Sequence, residues 1–120
     1  MDLRNKVKLN IWGRDFKLMV DFDDDKPTDK QIEALESFVA QQDAILGDSK
    51  KVLDYCKKVD KDRITSDNVF KYVMPHYIYM KRNAKTIAIM CNYKFDMEHG
   101  IAVVFENNKF NKVVVQDKIL

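Results

Sequence analysis

The densest group of potentially reactive side chains lies between two strand-like runs, in the sequence Asp96-Met97-Glu98-His99-Gly100. A carboxylate beside an imidazole can act in acid–base catalysis or bind a metal ion. Glu98 and His99 are adjacent, so on a regular strand their side chains would point to opposite faces, and only an irregular turn would bring them together. The alternative is structural. In that case Asp96 or Glu98 accepts backbone N–H groups, and Gly100 supplies a conformation that other residues disfavour. The pattern favours the structural interpretation and leaves a binding-surface role and catalysis as alternatives.

A zinc site would have to gather Cys56, His76, Cys91 and His99 from distant parts of the chain. None of these residues shows metal-type spacing such as C-x-x-C or H-x-x-x-H. The chain also lacks G-x-S-x-G and a glycine-rich phosphate loop, and it contains 3 glycines in all. We therefore expect no enzymatic activity, no metal and no cofactor, and we expect both cysteines to be buried and reduced.

Two further groups are candidates for binding a protein partner. Asp23, Asp24 and Asp25 form the densest like-charged cluster, and a calcium loop would need a glycine that is missing here. This cluster is either a solvated loop or a negative patch that meets a basic partner. Tyr77 and Tyr79 offer large apolar rings with polar tips, a combination common at protein interfaces. Packing in the core or at a sheet edge is the alternative for both tyrosines.

Composition excludes several classes of protein. The 120 residues (14.1 kDa) are enough for one domain that buries roughly two-thirds of its unfolded surface. A net charge of +2, from 21 basic and 19 acidic residues, argues against a nucleic-acid binder and against an acidic mimic of nucleic acid. The first residues do not resemble a signal peptide, and no apolar run approaches the roughly 18 residues of a membrane span. We expect a cytoplasmic protein, and its oligomeric state is left open.

Period-two alternation predicts strands over residues 7–11 and 16–22, joined as a hairpin by the turn Trp12-Gly13-Arg14-Asp15. Thr28 and Gln31 have the spacing of a capping box that opens a helix. The apolar residues that follow at helical spacing predict two helices, or one strongly bent helix, ending near Lys58. Asp48 or Ser49 is a candidate cap for the second helix.

Ser66 is predicted to cap a short helical turn running through Phe70, and Pro75 limits that turn. Strands then follow from His76, over residues 86–93 and 101–106, and over 109–115 after an Asn107-Asn108 turn. Short connections make these last four strands antiparallel neighbours. The prediction is one α+β domain in the order β-β-α-α-β-β-β-β, with an antiparallel sheet of about six strands and a helical pair packed on one face.

The run from Asn92 to Lys109, together with Val115-Gln116-Asp117, resembles a family of small uncharacterised bacterial domains. The signature of that family is roughly D-x-E-H-G, an apolar strand ending in Phe, an Asn/Asp-Gly hairpin and a terminal Asp. Such domains often occur near polymorphic-toxin loci, so the resemblance implies an immunity protein that binds and neutralises a partner toxin. Two positions depart from the signature: Asn108 replaces the hairpin glycine, and a valine run replaces a glycine before the terminal Asp.

The leading hypothesis is therefore a non-enzymatic binding protein whose candidate contacts are Asp23, Asp24, Asp25, Tyr77 and Tyr79. One rival is a small hydrolase or metal-dependent enzyme. The other is a structural or regulatory module that associates with itself through an edge strand.

Overall fold

A computed structural model describes residues 6–120. The first five residues, for which the sequence predicts no signal peptide, lie outside the described part. In chain order the elements are β1 (Lys6–Ile11), β2 (Arg14–Asp21), α1 (Asp29–Ala40), α2 (Gln42–Leu46), α3 (Lys50–Val59), β3 (Val73–Met80), β4 (Thr86–Tyr93), β5 (Ile101–Glu106) and β6 (Lys109–Val115), with 3₁₀ turns at Lys61–Arg63, Val69–Lys71 and Gln116–Lys118. The predicted α+β class is confirmed.

Both predicted hairpins are present and share one turn geometry. Trp12 and Gly13 have φ values of 52° and 90°, and Asn107 and Asn108 have 52° and 65°. Two successive residues with positive φ match the right-handed twist of the flanking strands, which is why such turns close tight hairpins. Asparagine tolerates this conformation, so Asn107 and Asn108 close the turn without a glycine.

The six strands lie in sequence order, β1-β2-β3-β4-β5-β6, and β3 to β6 are antiparallel neighbours as predicted. The expectation of an antiparallel sheet throughout is wrong at one pair. β2 runs parallel to β3, with Val20 opposite Ile78 and Asp21 opposite Tyr79. The whole helical region connects these two strands, and a connection of that length lets the chain cross over and return in the same direction. The sheet is therefore mixed.

A capping box opens α1, as predicted. Thr28 Oγ1 accepts the backbone N–H of Gln31 at 3.1 Å, and Gln31 Oε1 accepts that of Thr28 at 2.9 Å. The Gln31 amide also donates to the carbonyl oxygens of Phe22 and Lys81. Because Gln31 is fully buried, these bonds fix the start of α1 to the ends of β2 and β3.

The two predicted helices correspond to α1 and α3, and a short helix that was not predicted, α2, lies between them. α2 is a single turn of five residues between α1 and α3, and α3 ends at Val59, one residue beyond the predicted end. Asp48 rather than Ser49 provides the side-chain bond at the start of α3, since its Oδ1 accepts the N–H of Lys50 at 2.8 Å.

Two boundaries near β3 differ from the prediction. Asn68, not Ser66, caps the 3₁₀ turn, because its Oδ1 accepts the N–H of Phe70 at 3.1 Å. β3 begins at Val73 rather than His76, and the pairing register with β4 shifts between Pro75 and Tyr77. A bulge accommodates proline inside a strand, since proline cannot donate to the ladder.

The helices pack against one face of the sheet. Phe38 and Leu46, both at 0 % exposure, pack with Leu53 into the main apolar cluster. The opposite face carries a smaller cluster that includes Met90, Val104 and Ile119. Within residues 6–120, no helix is long and apolar enough to cross a membrane.

Candidate functional site

Residues 96–100 form a closed turn between β4 and β5. The Asp96 carboxylate accepts the backbone N–H of His99 at 3.2 Å, and the Asp96 carbonyl oxygen accepts the N–H of Gly100 at 2.8 Å. The His99 ring contacts the same carboxylate, with 2.9 Å between Nδ1 and Oδ1. Gly100 then leaves the turn with φ +63°. The carboxylate that meets the imidazole is therefore that of Asp96, and not that of the adjacent Glu98.

The Asp96–His99 contact favours the charged form of both groups. The hydrogen bond to Asp96 raises the pKa of His99, and Glu98 and Asp117 add to this effect at longer range. The same hydrogen bond lowers the pKa of Asp96. Both side chains remain open to solvent, at 46 % and 36 % exposure. This geometry closes a turn with an ion pair, and it leaves the imidazole on the surface rather than in a cleft.

Gly100 lies where the chain passes very close to two other groups. A Cβ atom at this position would lie 2.5 Å from Nε2 of Gln116 and 2.6 Å from the carbonyl oxygen of Cys91. Gln116 Nε2 donates a hydrogen bond of 2.9 Å to that carbonyl, which attaches the C-terminal 3₁₀ turn to the end of β4. Gly100 is thus required for two reasons: its backbone is left-handed, and Gln116 and the Cys91 carbonyl leave no room for a Cβ atom.

The four residues considered for zinc are divided between core and surface. Cys56 and Cys91 are fully buried, whereas His76 and His99 are exposed. Burial raises the pKa of the Cys56 thiol to about 11 and also raises that of Cys91. Within residues 6–120, no group of three or more His, Cys, Asp or Glu side chains is arranged to hold a metal ion.

The acidic loop after β2 is held by its own hydrogen bonds. Asp21 Oδ1 accepts the N–H of Asp23, which has φ +63°, and Asp24 Oδ2 forms a 2.6 Å ion pair with Arg82. Asp23 and Asp25 extend the same exposed surface. The loop therefore presents carboxylates from a defined backbone.

Negative charge extends well beyond this loop. Residues 21–48 contain nine acidic and two basic residues, a net charge of −7, so the rest of the chain carries +9. All nine acidic side chains are exposed, and they are Asp21, Asp23, Asp24, Asp25, Asp29, Glu33, Glu36, Asp43 and Asp48. We call this set the acidic surface. The small net charge of the whole chain is therefore the sum of a strongly acidic segment and a strongly basic remainder.

The structure brings the two predicted tyrosines to the acidic loop, in different environments. Tyr79 lies opposite Asp21 in the parallel pair and is 5 % exposed. Burial, with Asp23 nearby, raises its pKa to about 12. Tyr77 is half-buried, and burial with the nearby Asp21 raises its pKa as well. Tyr79 is therefore a buried residue next to the loop, and Tyr77 is the more exposed tyrosine of this pair.

Residues 3–120 match the model of a sequence family, which covers nearly the whole chain. The chain belongs to the family described as domain of unknown function (DUF6985). No curated protein and no solved structure matches the chain. The family description names no activity, so membership gives the DUF6985 domain a family and not a function.

Sequence reasoning missed the contribution of α1 to the acidic surface. Asp29, Glu33 and Glu36 follow each other at spacings of four and three, which places them on one face of a helix. That signal was available in the sequence. A shallow groove of about 400 Å³ in the DUF6985 domain, lined in part by Phe70 and by the exposed Met97, had no comparable signal because its walls come from separate segments.

Proposed function

We propose that this DUF6985 domain is a non-enzymatic protein-binding domain, and that it acts in the cytoplasm as an immunity protein that neutralises a cognate bacterial toxin by direct binding. The net charge of −7 on residues 21–48 is the observation that carries the proposal. A surface of one sign attracts a partner of the opposite sign, speeds encounter and disfavours wrong partners. The partner surface is therefore expected to be basic. The toxin itself is implied by the family resemblance.

The acidic surface has the rigidity that tight binding needs. The fully buried Gln31 fixes the start of α1 to the sheet, and the bond from Asp21 to the N–H of Asp23 orders the loop. These bonds order the backbone of the loop and of the start of α1 before binding, which lowers the entropic cost of association. Tyr77 adds a half-buried aromatic ring at one side of the loop. Such rings commonly serve as anchors in interfaces.

The hydrolase alternative has weaker support. The carboxylate that hydrogen-bonds to the His99 ring is that of Asp96 rather than that of Glu98, and this pair closes a solvent-exposed turn. Catalytic bases commonly stand in a concave site that orients the substrate, whereas these two side chains are 46 % and 36 % exposed.

The experiment is co-purification from the source cells with tagged protein, followed by expression of each captured protein alone and together with the domain. A true toxin arrests growth when expressed alone, and co-expression restores growth. The triple variant Asp25→Lys, Glu33→Lys and Glu36→Lys should weaken binding at least about a hundredfold, because like charges then face each other.

The matched control reverses three exposed acids elsewhere, Asp62→Lys, Glu98→Lys and Glu106→Lys, for the same change in net charge. It should bind like the unmodified protein. Equal loss in both variants would mean that net charge alone attracts the partner. A captured protein that never arrests growth would contradict the immunity role.

A further inference from the structure

The strand β6 forms one edge of the sheet. Within residues 6–120 it pairs with β5 alone, so its outer side presents backbone N–H and C=O groups with no strand beside them. The pairing shifts register between Val104 and Phe105, which places a bulge at Asn111. Beyond that bulge, residues 112–115 run in regular register to the end of the strand. This stretch is a template on which a further strand could form hydrogen bonds.

A groove of about 300 Å³ runs between this edge and α3. Tyr55, Phe110 and Val113, all partly buried, form its apolar lining. The rim carries three lysines, Lys51, Lys58 and Lys112. The Lys51 ammonium lies 4.8 Å from the centre of the Phe110 ring. Asp54 is the single acidic residue of the lining, so the groove is apolar inside and basic at its rim.

We propose that the β6 edge and this groove bind an extended acidic segment of a partner protein, which adds to the sheet as a strand. Main-chain hydrogen bonds to β6 would supply affinity, as in other complexes formed by strand addition. Side chains alternate along a strand, so apolar residues of the segment that face α3 enter the groove, while its alternate carboxylates face the other side of the sheet and meet Lys112, which lies opposite Val104 of the smaller cluster. Lys51 and Lys58 stand on the groove side and add to the attraction of an acidic segment. This surface is separate from the acidic surface, and the proposal does not depend on the immunity role.

Charge decides against a second copy of the same chain as the occupant. Two antiparallel β6 strands would bring Lys109 and Lys112 of one copy towards those of the other, and like charges across a strand pair are destabilising. The bulge at Asn111 further interrupts the edge. Lysines and a bulge are common protections against self-pairing, and the same lysines attract an acidic strand.

The test uses a synthetic peptide that alternates valine or phenylalanine with glutamate, and a counterpart with lysine in place of glutamate. The acidic peptide should bind in a calorimetric titration, and the lysine peptide should bind at least about tenfold more weakly. The variant Lys51→Glu, Lys58→Glu and Lys112→Glu should lose binding of the acidic peptide to a similar extent. The control Lys17→Glu, Lys71→Glu and Lys85→Glu reverses three exposed lysines elsewhere and should bind normally.

Strand addition is distinguished from simple charge attraction by N-methylation of the acidic peptide. Two peptides are compared, one methylated on the amides of its odd-numbered residues and one on those of its even-numbered residues. One of them should fail to bind and the other should bind normally, because only alternate amides face β6. Equal binding of both methylated peptides, or failure of the acidic peptide to bind, would overturn the proposal. So would a concentration-dependent dimer that the lysine-to-glutamate variant at the groove disrupts, since that result identifies a second copy as the occupant.

Discussion

Replacement of Gly100 by alanine tests the account of the turn at residues 96–100. The backbone there has φ +63°, and a left-handed conformation costs a residue with a Cβ roughly 1–2 kcal/mol. The added Cβ would also lie 2.6 Å from the Cys91 carbonyl oxygen, a backbone atom that cannot swing aside, and 2.5 Å from Gln116 Nε2. Displacing Gln116 breaks its bond to Cys91, worth about 1 kcal/mol. We expect Gly100→Ala to lower the free energy of unfolding by about 3 kcal/mol in all.

Gly13 provides the matched control for this substitution. It also has a positive φ, +90°, but apart from its two chain neighbours no residue has a heavy atom within 4 Å of an added Cβ. Gly13→Ala should therefore cost only the conformational part, about 1 kcal/mol. Urea denaturation measures both values, and the Gly100 variant should also melt about 12 °C lower than the unmodified protein.

A double variant separates the two contacts at Gly100. Adding Gln116→Ala removes the crowded side chain, so the combined cost should be about 1 kcal/mol less than the sum of the single costs. The backbone contact with Cys91 remains, so stability should not return fully. If Gly100→Ala costs no more than Gly13→Ala, the close approach does not constrain the turn and the reasoning fails.

Three further outcomes follow from the described geometry. Gln31→Ala should cost about 3 kcal/mol, since buried backbone groups lose their partners, whereas the exposed Gln41→Ala should change stability by less than about 0.5 kcal/mol in the same denaturation assay. Because Asp96 raises the pKa of His99 above 6.5 and His99 lowers that of Asp96 below 3.8, their mutual stabilisation is full between about pH 4 and 6.5. It is lost as pH rises through the raised pKa or falls through the lowered one, so His99→Gln should destabilise more at about pH 5.5 than at about pH 9, as measured by denaturation at both values. Neither cysteine should react with a thiol reagent at neutral pH until the protein unfolds, because both are buried and their pKa values are raised.

The local elements were largely predictable from the sequence because their signals are local. β4, β5 and β6 occupy the predicted residues. Their alternating or continuous apolar runs end at residues that are typical of turns, such as Asn107-Asn108. The capping box of Thr28 and Gln31 was readable for the same reason. Each of these features depends on residues within a few positions of one another.

Features that depend on distant residues were not predictable in the same way. The parallel pairing of β2 with β3 follows from how the helical region returns to the sheet, and no local pattern encodes it. The two further bonds of Gln31, to Phe22 and Lys81, join segments up to 50 positions apart. Proline inside β3 is allowed by a bulge, whereas the residue type alone predicts that the strand begins after it.

The candidate residues illustrate the same division. Residue type suggested that His99 has an acidic neighbour, but turn geometry decides that the neighbour is Asp96 and not Glu98. Tyr79 is a sound interface residue by type, yet its place opposite Asp21 buries it. Burial of a strand residue depends on which distant segments pack against its face of the sheet, and the sequence of the strand does not give that information.

Because the acidic surface and the β6 groove carry opposite charge, experiments can test whether they bind two partners or one. Residues 21–48 carry a net charge of −7, and lysines lie along α3 and β6. The chain as a whole carries only +2, so its net charge alone would attract a charged partner weakly. Binding to either region must therefore depend on local fields, which fade beyond roughly 8 Å at physiological salt. A basic partner on the acidic surface and an acidic segment at β6 would each weaken as salt rises, but charge reversal on one surface should leave the other partner bound. Independent loss of the two interactions is what two separate surfaces require, and a coupled loss would indicate that one partner spans both.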